Sequence, residues 1–415
     1  MKNLRPVLFL KISGPVLVFC LILLNSDLLS AKTIMVGPKL SDKNLADAIA
    51  HALPGDTIYF KKGIYSGGQL IKDLKGTGKS WITLYASVSD SVIIRGGSTS
   101  WQFTDPAYLT IEGFIFEEQS ANGLNVDDGG DYSTPAHHLI FRNCIFRNIK
   151  ASGNNDLMKL SGLNHFEITG CKFLNGSPGG SGIDMVGCHQ GLIESCEFEN
   201  QGSNSVQAKG GSQYIRILRN RFVNGGQRSV NLGGSTGIPY FRPMDAPFEA
   251  ANLEVYSNIF IGSDAPVVFV GCINSKVINN TIYKPNRWVI RILQENANSR
   301  FVQCGENTFS NNLIQYGNLR TETNVGGNTR PGTFRFSGNF WFDFLAAQSH
   351  LPLIPVDDST IVFGLNPGFV DAENGNFRLK KNSPAQGRIK ISDEPVTDFY
   401  NRSFRPLRSA GAIEW

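Results

Sequence analysis

Six short segments in the middle of the chain follow one pattern. They are Met158-Lys159-Leu160-Ser161, Ile183-Asp184-Met185-Val186, Val206-Gln207-Ala208-Lys209, Val230-Asn231-Leu232-Gly233, Val267-Val268-Phe269-Val270 and Ile290-Arg291-Ile292-Leu293. In extended backbone, alternate residues face opposite sides. The apolar set Met158, Ile183, Val206, Val230, Val267 and Ile290 then faces a core. Lys159, Asp184, Gln207, Asn231, Val268 and Arg291 face outward in one column, and Ser161, Val186, Lys209, Gly233, Val270 and Leu293 in a second. Charged and amide groups concentrate in four adjacent segments, and Val268 and Val270 mark the end of that strip. Such a strip offers donors to an anionic, hydroxyl-rich ligand, and a lysine in its neutral form can take a proton. Polar residues are also the ordinary covering of an exposed face, so it is their clustering that points to a groove.

What must position these segments is a repeat. An apolar residue, two further residues, Asn or Cys, one residue, then Phe, Ile or Trp recurs eight times, from Phe141/Cys144/Phe146 to Phe336/Asn339/Trp341. Successive Asn or Cys positions lie 27, 25, 24, 38, 22, 32 and 27 residues apart. Ile111/Phe114/Phe116 fits as an earlier copy. That period with strand patterning predicts an all-β solenoid, a parallel β-helix, because one coil cannot bury its own apolar face and must stack on others. The Asn sits where the chain bends and can bond backbone groups that no strand ladder reaches.

The 38-residue interval exceeds its neighbours, and its excess follows Asn231-Leu232-Gly233-Gly234, in residues 235–247. A long loop carrying Tyr240, Phe241 and Arg242 would wall the groove and offer rings for sugar stacking; the alternative is a packed surface flap. Trp288, beside Arg287, is either a sugar platform or core.

The remaining features set limits. Lys2, Arg5 and Lys11 precede the apolar run Val16–Leu24, and Ser30-Ala31 offers a cleavage site, which reads as a signal peptide over residues 1–31 and a secreted protein, periplasmic or extracellular. The apolar run is short for a membrane span, and no later segment is expected to cross one. The signal carries three basic residues and one Asp of the whole-chain charge of +4, leaving about +2, which excludes nucleic acid as the main partner. Cys144, Cys171 and Cys196 share one rung and read as buried free thiols, with a disulfide between adjacent coils as the alternative. No Cys/His spacing signals zinc or haem. Residues 44–53 carry a helical pattern with Ser41 or Asp42 as N-cap. Within a cap spanning 32–56, this helix would cover the first sheet edge. Thr57–Phe60 is read as the first strand, coils run over 57–342, and 343–415, with a hairpin-like Pro367–Lys380, reads as a C-terminal cap.

The opening LADAIAHALPGDTIYFKKGIY and the closing NPGFVDAENGNFRLKKNSPA, with the coil phrase between them, resemble the secreted right-handed β-helix proteins of the pectate-lyase superfamily. The resemblance is closest to the chondroitinase B and alginate lyase type. It implies a monomeric polysaccharide lyase acting on an acidic, uronate-containing polysaccharide, with a Lys and an Arg on successive coils beside a calcium ion. Lys209 matches the family's catalytic Lys in Val206-Gln207-Ala208-Lys209-Gly210-Gly211. The family Arg falls on Gly233, and Gly202–Val206 holds no carboxylate for calcium. Arg228 or Arg291 can substitute as neutraliser, or each is an ordinary surface ion-pair residue. In this reading Lys209 and Arg228 are catalytic, and Lys159, Asp184, Gln207, Asn231, Tyr240, Arg242, Trp288 and Arg291 contact substrate. No metal site or certain cofactor is assigned. His189 and His165 read as satisfied polar residues. The alternatives are a non-catalytic glycan-binding or envelope-associated solenoid and, more weakly, a glycoside hydrolase, for which only Asp127-Asp128 and Asp184 lie near the face.

Overall fold

The computed structural model describes residues 31–415 apart from 40, 88, 318, 347–349, 388 and 391–395. The expected signal segment lies outside the described residues. Among the described residues, no helix is long and apolar enough to cross a membrane. Three long sheets run the length of the solenoid, and every pairing within them is parallel and joins a strand to its copy in the next coil. The first sheet runs from Thr33–Val36 to Arg335–Ser337, the second from Gly63–Ser66 to Val362–Phe363, and the third from Gln69–Lys72 to Thr323–Val325.

The repeated phrase does its work at the corner between the first and second sheets. Phe116, Phe146, Phe173, Phe198, Phe222 and Phe260 stack inside the second sheet with centroids 4.8–5.0 Å apart and planes within 13°. That spacing is the strand repeat itself. Asn220, Asn258, Asn280, Asn312 and Asn339 form a buried ladder, each Nδ2 donating to the next Oδ1 at 3.0–3.1 Å. Each Oδ1 also accepts a backbone N–H of the coil before it, as Asn280 does from Asn258 at 2.9 Å. The ladder thus satisfies the amides the bend strands. Cys144, Cys171 and Cys196 continue the rung as free, buried thiols whose sulfurs reach carbonyls of the preceding coil at 3.4–3.6 Å. No disulfide joins them.

Three expectations change. The first strand is Thr33–Val36, paired in register with Thr57–Phe60, so the helix interrupts the first coil instead of preceding it. The helix spans Leu45–Ala50 and is capped by Asn44, whose Oδ1 accepts from Asp47 N at 2.9 Å. Asp42 instead accepts from Lys39 N and pairs with Lys61, which takes it out of the capping position. The C-terminal segment also does more than close the stack. Phe377 and Ile413 pack with Ile259, Leu313 and Phe340 on the outer face of the second sheet. Asn279 Nδ2 holds the Ser409 and Gly411 carbonyls at 3.1 and 3.0 Å. The Phe369–Asp371 and Asn376–Leu379 strands pair antiparallel within the hairpin-like stretch.

Candidate functional site

The third sheet places Asn125, Lys159, Asp184, Gln207, Asn231, Val268, Arg291 and Asn324 as successive Cα partners, one per coil. Lys209 partners Val186 in the next column. The strip is therefore real, but it is not an open face. Asp184 and Asn231 are each 1 % exposed, and Val268 and Val270 are fully covered. The reason is a partial roof: Trp288 and Leu293 cover the valines, Lys159 and Lys209 lie against Asp184, and two loops close over the strand ends.

The loop after Gly234 meets the loop that follows Leu293. Val302 N donates to the Pro247 carbonyl at 2.8 Å, and Arg300 Nη1 to that of Met244 at 2.8 Å. Phe241 is fully buried and its ring lies 5.1 Å from Phe301, so it is an anchor of the flap rather than a sugar platform. Glu249, 1 % exposed, ties both loops to the strand end. Its carboxylate accepts Gly210 N (3.0 Å), Thr236 N (2.8 Å), Thr236 Oγ1 (2.7 Å) and Asn296 Nδ2 (3.2 Å). Arg242 faces away from the polar rungs and grips the buried Asp128 carboxylate through Nε and Nη2 at 2.5 and 3.0 Å, with Tyr132 stacked 3.9 Å beneath. Tyr240 is 60 % exposed at the rim.

Beneath this roof lies a cleft of about 240 Å³ lined by Asn204, Gln207, Lys209, Arg228, Asn231 and Glu295, with Asn154, Ser203, Gln227 and Ser235 at its margins. Lys209 Nζ stands 3.2 Å from Asp184 Oδ1 and 3.4 Å from Gln207 Oε1. Lys159 Nζ contacts Asp184 Oδ2 directly and lies 3.7 Å from Asp156 Oδ2. Arg228 reaches Glu295 at 2.6 Å and Asn231 Oδ1 at 3.2 Å. Asn231 Nδ2 and Asn204 Oδ1 are buried with no hydrogen-bond partner. A buried donor or acceptor left unpaired costs about 1–3 kcal/mol.

The electrostatics follow from burial. Asp156 is pushed up to about 7, first by burial and then by the neighbouring Asp184 charge, against the pull of Lys159. Burial disfavours the Lys159 ammonium, but Asp184 and Asp156 outweigh it and raise its pKa; Lys159 stays charged and serves as a cation. Arg291 is lowered by burial and by Arg228. It stacks 4.6 Å over Trp288, which Arg287 faces at 4.3 Å, and holds Asn324 Oδ1 at 2.9 Å. Trp288 is thus half-buried between two guanidinium groups and against Val268. His189 is satisfied by Asn164, the Gly211 carbonyl and the Arg242 carbonyl, and burial lowers its pKa. His165 stacks on His138 at 4.6 Å on the first sheet. Neither histidine lines the cleft.

The fold therefore brings Lys159, Asp184, Gln207, Lys209, Arg228 and Asn231 together, puts Arg291 and Trp288 on the adjoining coil, and leaves Arg242 and Tyr240 outside. Four residues of the site escaped the sequence reading: Asp156, Asn204, Glu249 and Glu295. For two of them a signal existed. Ser181, Asn204 and Arg228 are Cα partners three residues before the polar column, and Asp156 holds the same place on the coil before, its Oδ1 accepting Ser181 N at 2.8 Å. Gly233 leaves no room for a side chain: its φ is +102°, and a Cβ there would collide with the Val270 carbonyl oxygen.

Calcium, which the resemblance implies, does not fit these residues. It needs six to eight oxygen ligands, and among the described residues no group of three or more His, Cys, Asp or Glu side chains could hold a metal. The one acidic pair at the cleft, Asp156 and Asp184, already holds the Lys159 ammonium.

Residues 91–282 match the family model described as the right handed beta helix region. Among solved structures, the chain is similar to the pectate lyase Pel9A, with 15% identity over 92% of this chain and 96% of that one and a TM-score of 0.59. It is also similar to a rhamnogalacturonan lyase, at 12% identity over 85% of this chain and 96% of that one, with a TM-score of 0.50. No curated protein matches the chain in sequence. The chain is a right-handed parallel β-helix, the architecture that its resemblance to the pectate-lyase superfamily implies.

Proposed function

We propose that the roofed cleft on the third sheet takes a stretch of an acidic, uronate-containing polysaccharide outside the cytoplasm and cleaves it by β-elimination. In that reaction the C5 proton of a uronic acid is removed and the 4-linked oxygen leaves. The proton becomes acidic enough once the sugar carboxylate is neutralised. Lys209, in its neutral form, is the proton acceptor, and Arg228 neutralises the carboxylate, with Arg291 on the adjoining coil as a second cation. Gln207, Asn204 and Asn231 bind sugar hydroxyls.

The observation that carries this reading is the gathering of Lys209 and Arg228 with the amide side chains of Asn204, Gln207 and Asn231 around one cleft. A cavity lined by amides and charged groups suits a sugar better than an apolar ligand. The two β-helical lyases of similar architecture support it as precedent for the scaffold. A second reading has its own support. Both cations already hold carboxylates, Asp184 at 3.2 Å and Glu295 at 2.6 Å, which suits binding without proton transfer.

Incubation with alginate, pectate and glycosaminoglycans decides between them. Under the first reading an unsaturated, ultraviolet-absorbing product forms, and Lys209→Ala slows it by about 10²–10⁴-fold, the usual worth of a general base. New reducing ends without that absorbance would identify a hydrolase and refute elimination. Retention on an acidic-glycan column with no product, lost in Arg228→Ala, would leave binding alone.

A further inference from the structure

The acidic pair at the cleft is filled from within the chain. Lys159 rises from the third sheet one rung below Asp184, and its ammonium contacts Asp184 Oδ2 while standing 3.7 Å from Asp156 Oδ2. Of the two remaining oxygens, Asp156 Oδ1 accepts Ser181 N at 2.8 Å, and Asp184 Oδ1 lies 3.2 Å from Lys209 Nζ as an ion pair without a hydrogen bond. Both carboxylates therefore lie within ion-pair distance of lysines that the chain itself supplies. The Lys159 ammonium stands against both acids, and a divalent ion entering here would meet it as a like charge at close range. On the coil below, Asn125 is the Cα partner of Lys159, and its buried Oδ1 has no partner. Two carboxylates thus converge on the place that the Lys159 ammonium occupies, with an unpartnered amide oxygen on the neighbouring rung.

We propose that Lys159 is a tethered cation that replaces a dissociable metal in the cleft, so that the site is assembled and works without a divalent ion. Metals hold such acidic pairs together by charge, at the cost of depending on free ion concentration. A lysine on the neighbouring rung supplies the charge permanently. One ammonium cannot offer six or more coordination positions, so it cannot also bridge to a sugar carboxylate as a hydrated ion would. That task falls to Arg228 and Arg291, on the far side of Gln207 and Asn231. The inference concerns how the site is built and stands whether the cleft cleaves a glycan or only binds one.

The test is calorimetric, on the full chain. Calcium chloride titrated into the wild type gives no saturable heat, and its Tm is the same in calcium and in EDTA. Lys159→Ala, and Lys159→Met, which keeps most of the stem, expose Asp156, Asp184 and Asn125. At least one of these variants then binds calcium saturably, and its Tm rises with calcium concentration, as binding to the folded state alone requires. Adding Asp184→Asn to that variant abolishes the gain. Saturable calcium binding by the wild type that Asp184→Asn removes would overturn the proposal, and so would indifference of both Lys159 variants to calcium. No sugar enters these measurements, so their failure is separable from failure of the lyase reading.

Discussion

Glu249→Ala should open the roof of the cleft while leaving the solenoid intact. The carboxylate is buried and accepts four hydrogen bonds. Two of its donors recover after truncation: the Thr236 hydroxyl can rotate, and Asn296 Nδ2 keeps the Thr236 carbonyl at 3.2 Å. The Gly210 and Thr236 backbone amides have no such second partner. Each unpaired buried amide costs about 1–3 kcal/mol, so the closed roof loses about 2–6 kcal/mol. The loops can escape this cost by lifting into water, because they hold to each other through a small apolar cluster of Phe241, Ala246 and Phe301. The coils beneath cannot, since their strands are paired on both sides. Amide exchange followed by mass spectrometry should therefore quicken by at least about 30-fold in residues 235–248 and 294–303, the equivalent of the lower bound. Exchange in the Asn204–Lys209 and Arg228–Gly233 strands should stay close to wild type. Uniform loss of protection across the third sheet, or unchanged exchange in the two loops, would refute this account of the roof.

Further outcomes follow from the same structure. Asn280→Ala orphans the Asn258 N–H and the Val255 carbonyl, each held at 2.9 Å. It should cost about 2–6 kcal/mol in denaturant unfolding, and more than Cys171→Ala on the same rung, which removes only a weak S–H donor. Asp156 titrates at about 7 in the folded chain but near about 3.9 when unfolded. Between those values the folded state holds the extra proton, so this group's contribution to stability falls as pH rises through that window. The stability of the wild type relative to Asp156→Asn should accordingly decline between about pH 5 and pH 7 in urea titrations. Lys209→Ala should slow product formation by about 10²–10⁴-fold without changing Tm appreciably, because its Asp184 partner keeps Lys159.

Much of the site was legible because a strand has a period of two and a coil has a nearly constant length. Counting back from the Asn or Cys rung placed Lys159, Asp184, Gln207, Asn231 and Arg291 in one column, and the Cα pairing follows it residue for residue. Asp156 and Asn204 lie three residues before that column, where strand alternation ends and only the coil-to-coil repeat marks them. Arg242 shows the other limit. Its place in the long loop drew attention, yet its guanidinium is spent on Asp128, 114 residues earlier. Glu249 belongs to no repeat, and nothing local marks it as the tie between two loops.

The sequence by itself determined the solenoid, its core face, its Asn and Phe ladders and the polar strip, because each depends on a short pattern repeated at a fixed interval. Only the tertiary structure decided that the strip is roofed, that Lys159 is consumed by an acidic pair, and that Lys209 and Arg228 share one cleft. Those outcomes depend on where long loops settle and which charges meet across coils. Neither has a period, and both are set by packing and pairing over distances in the chain that no local pattern encodes.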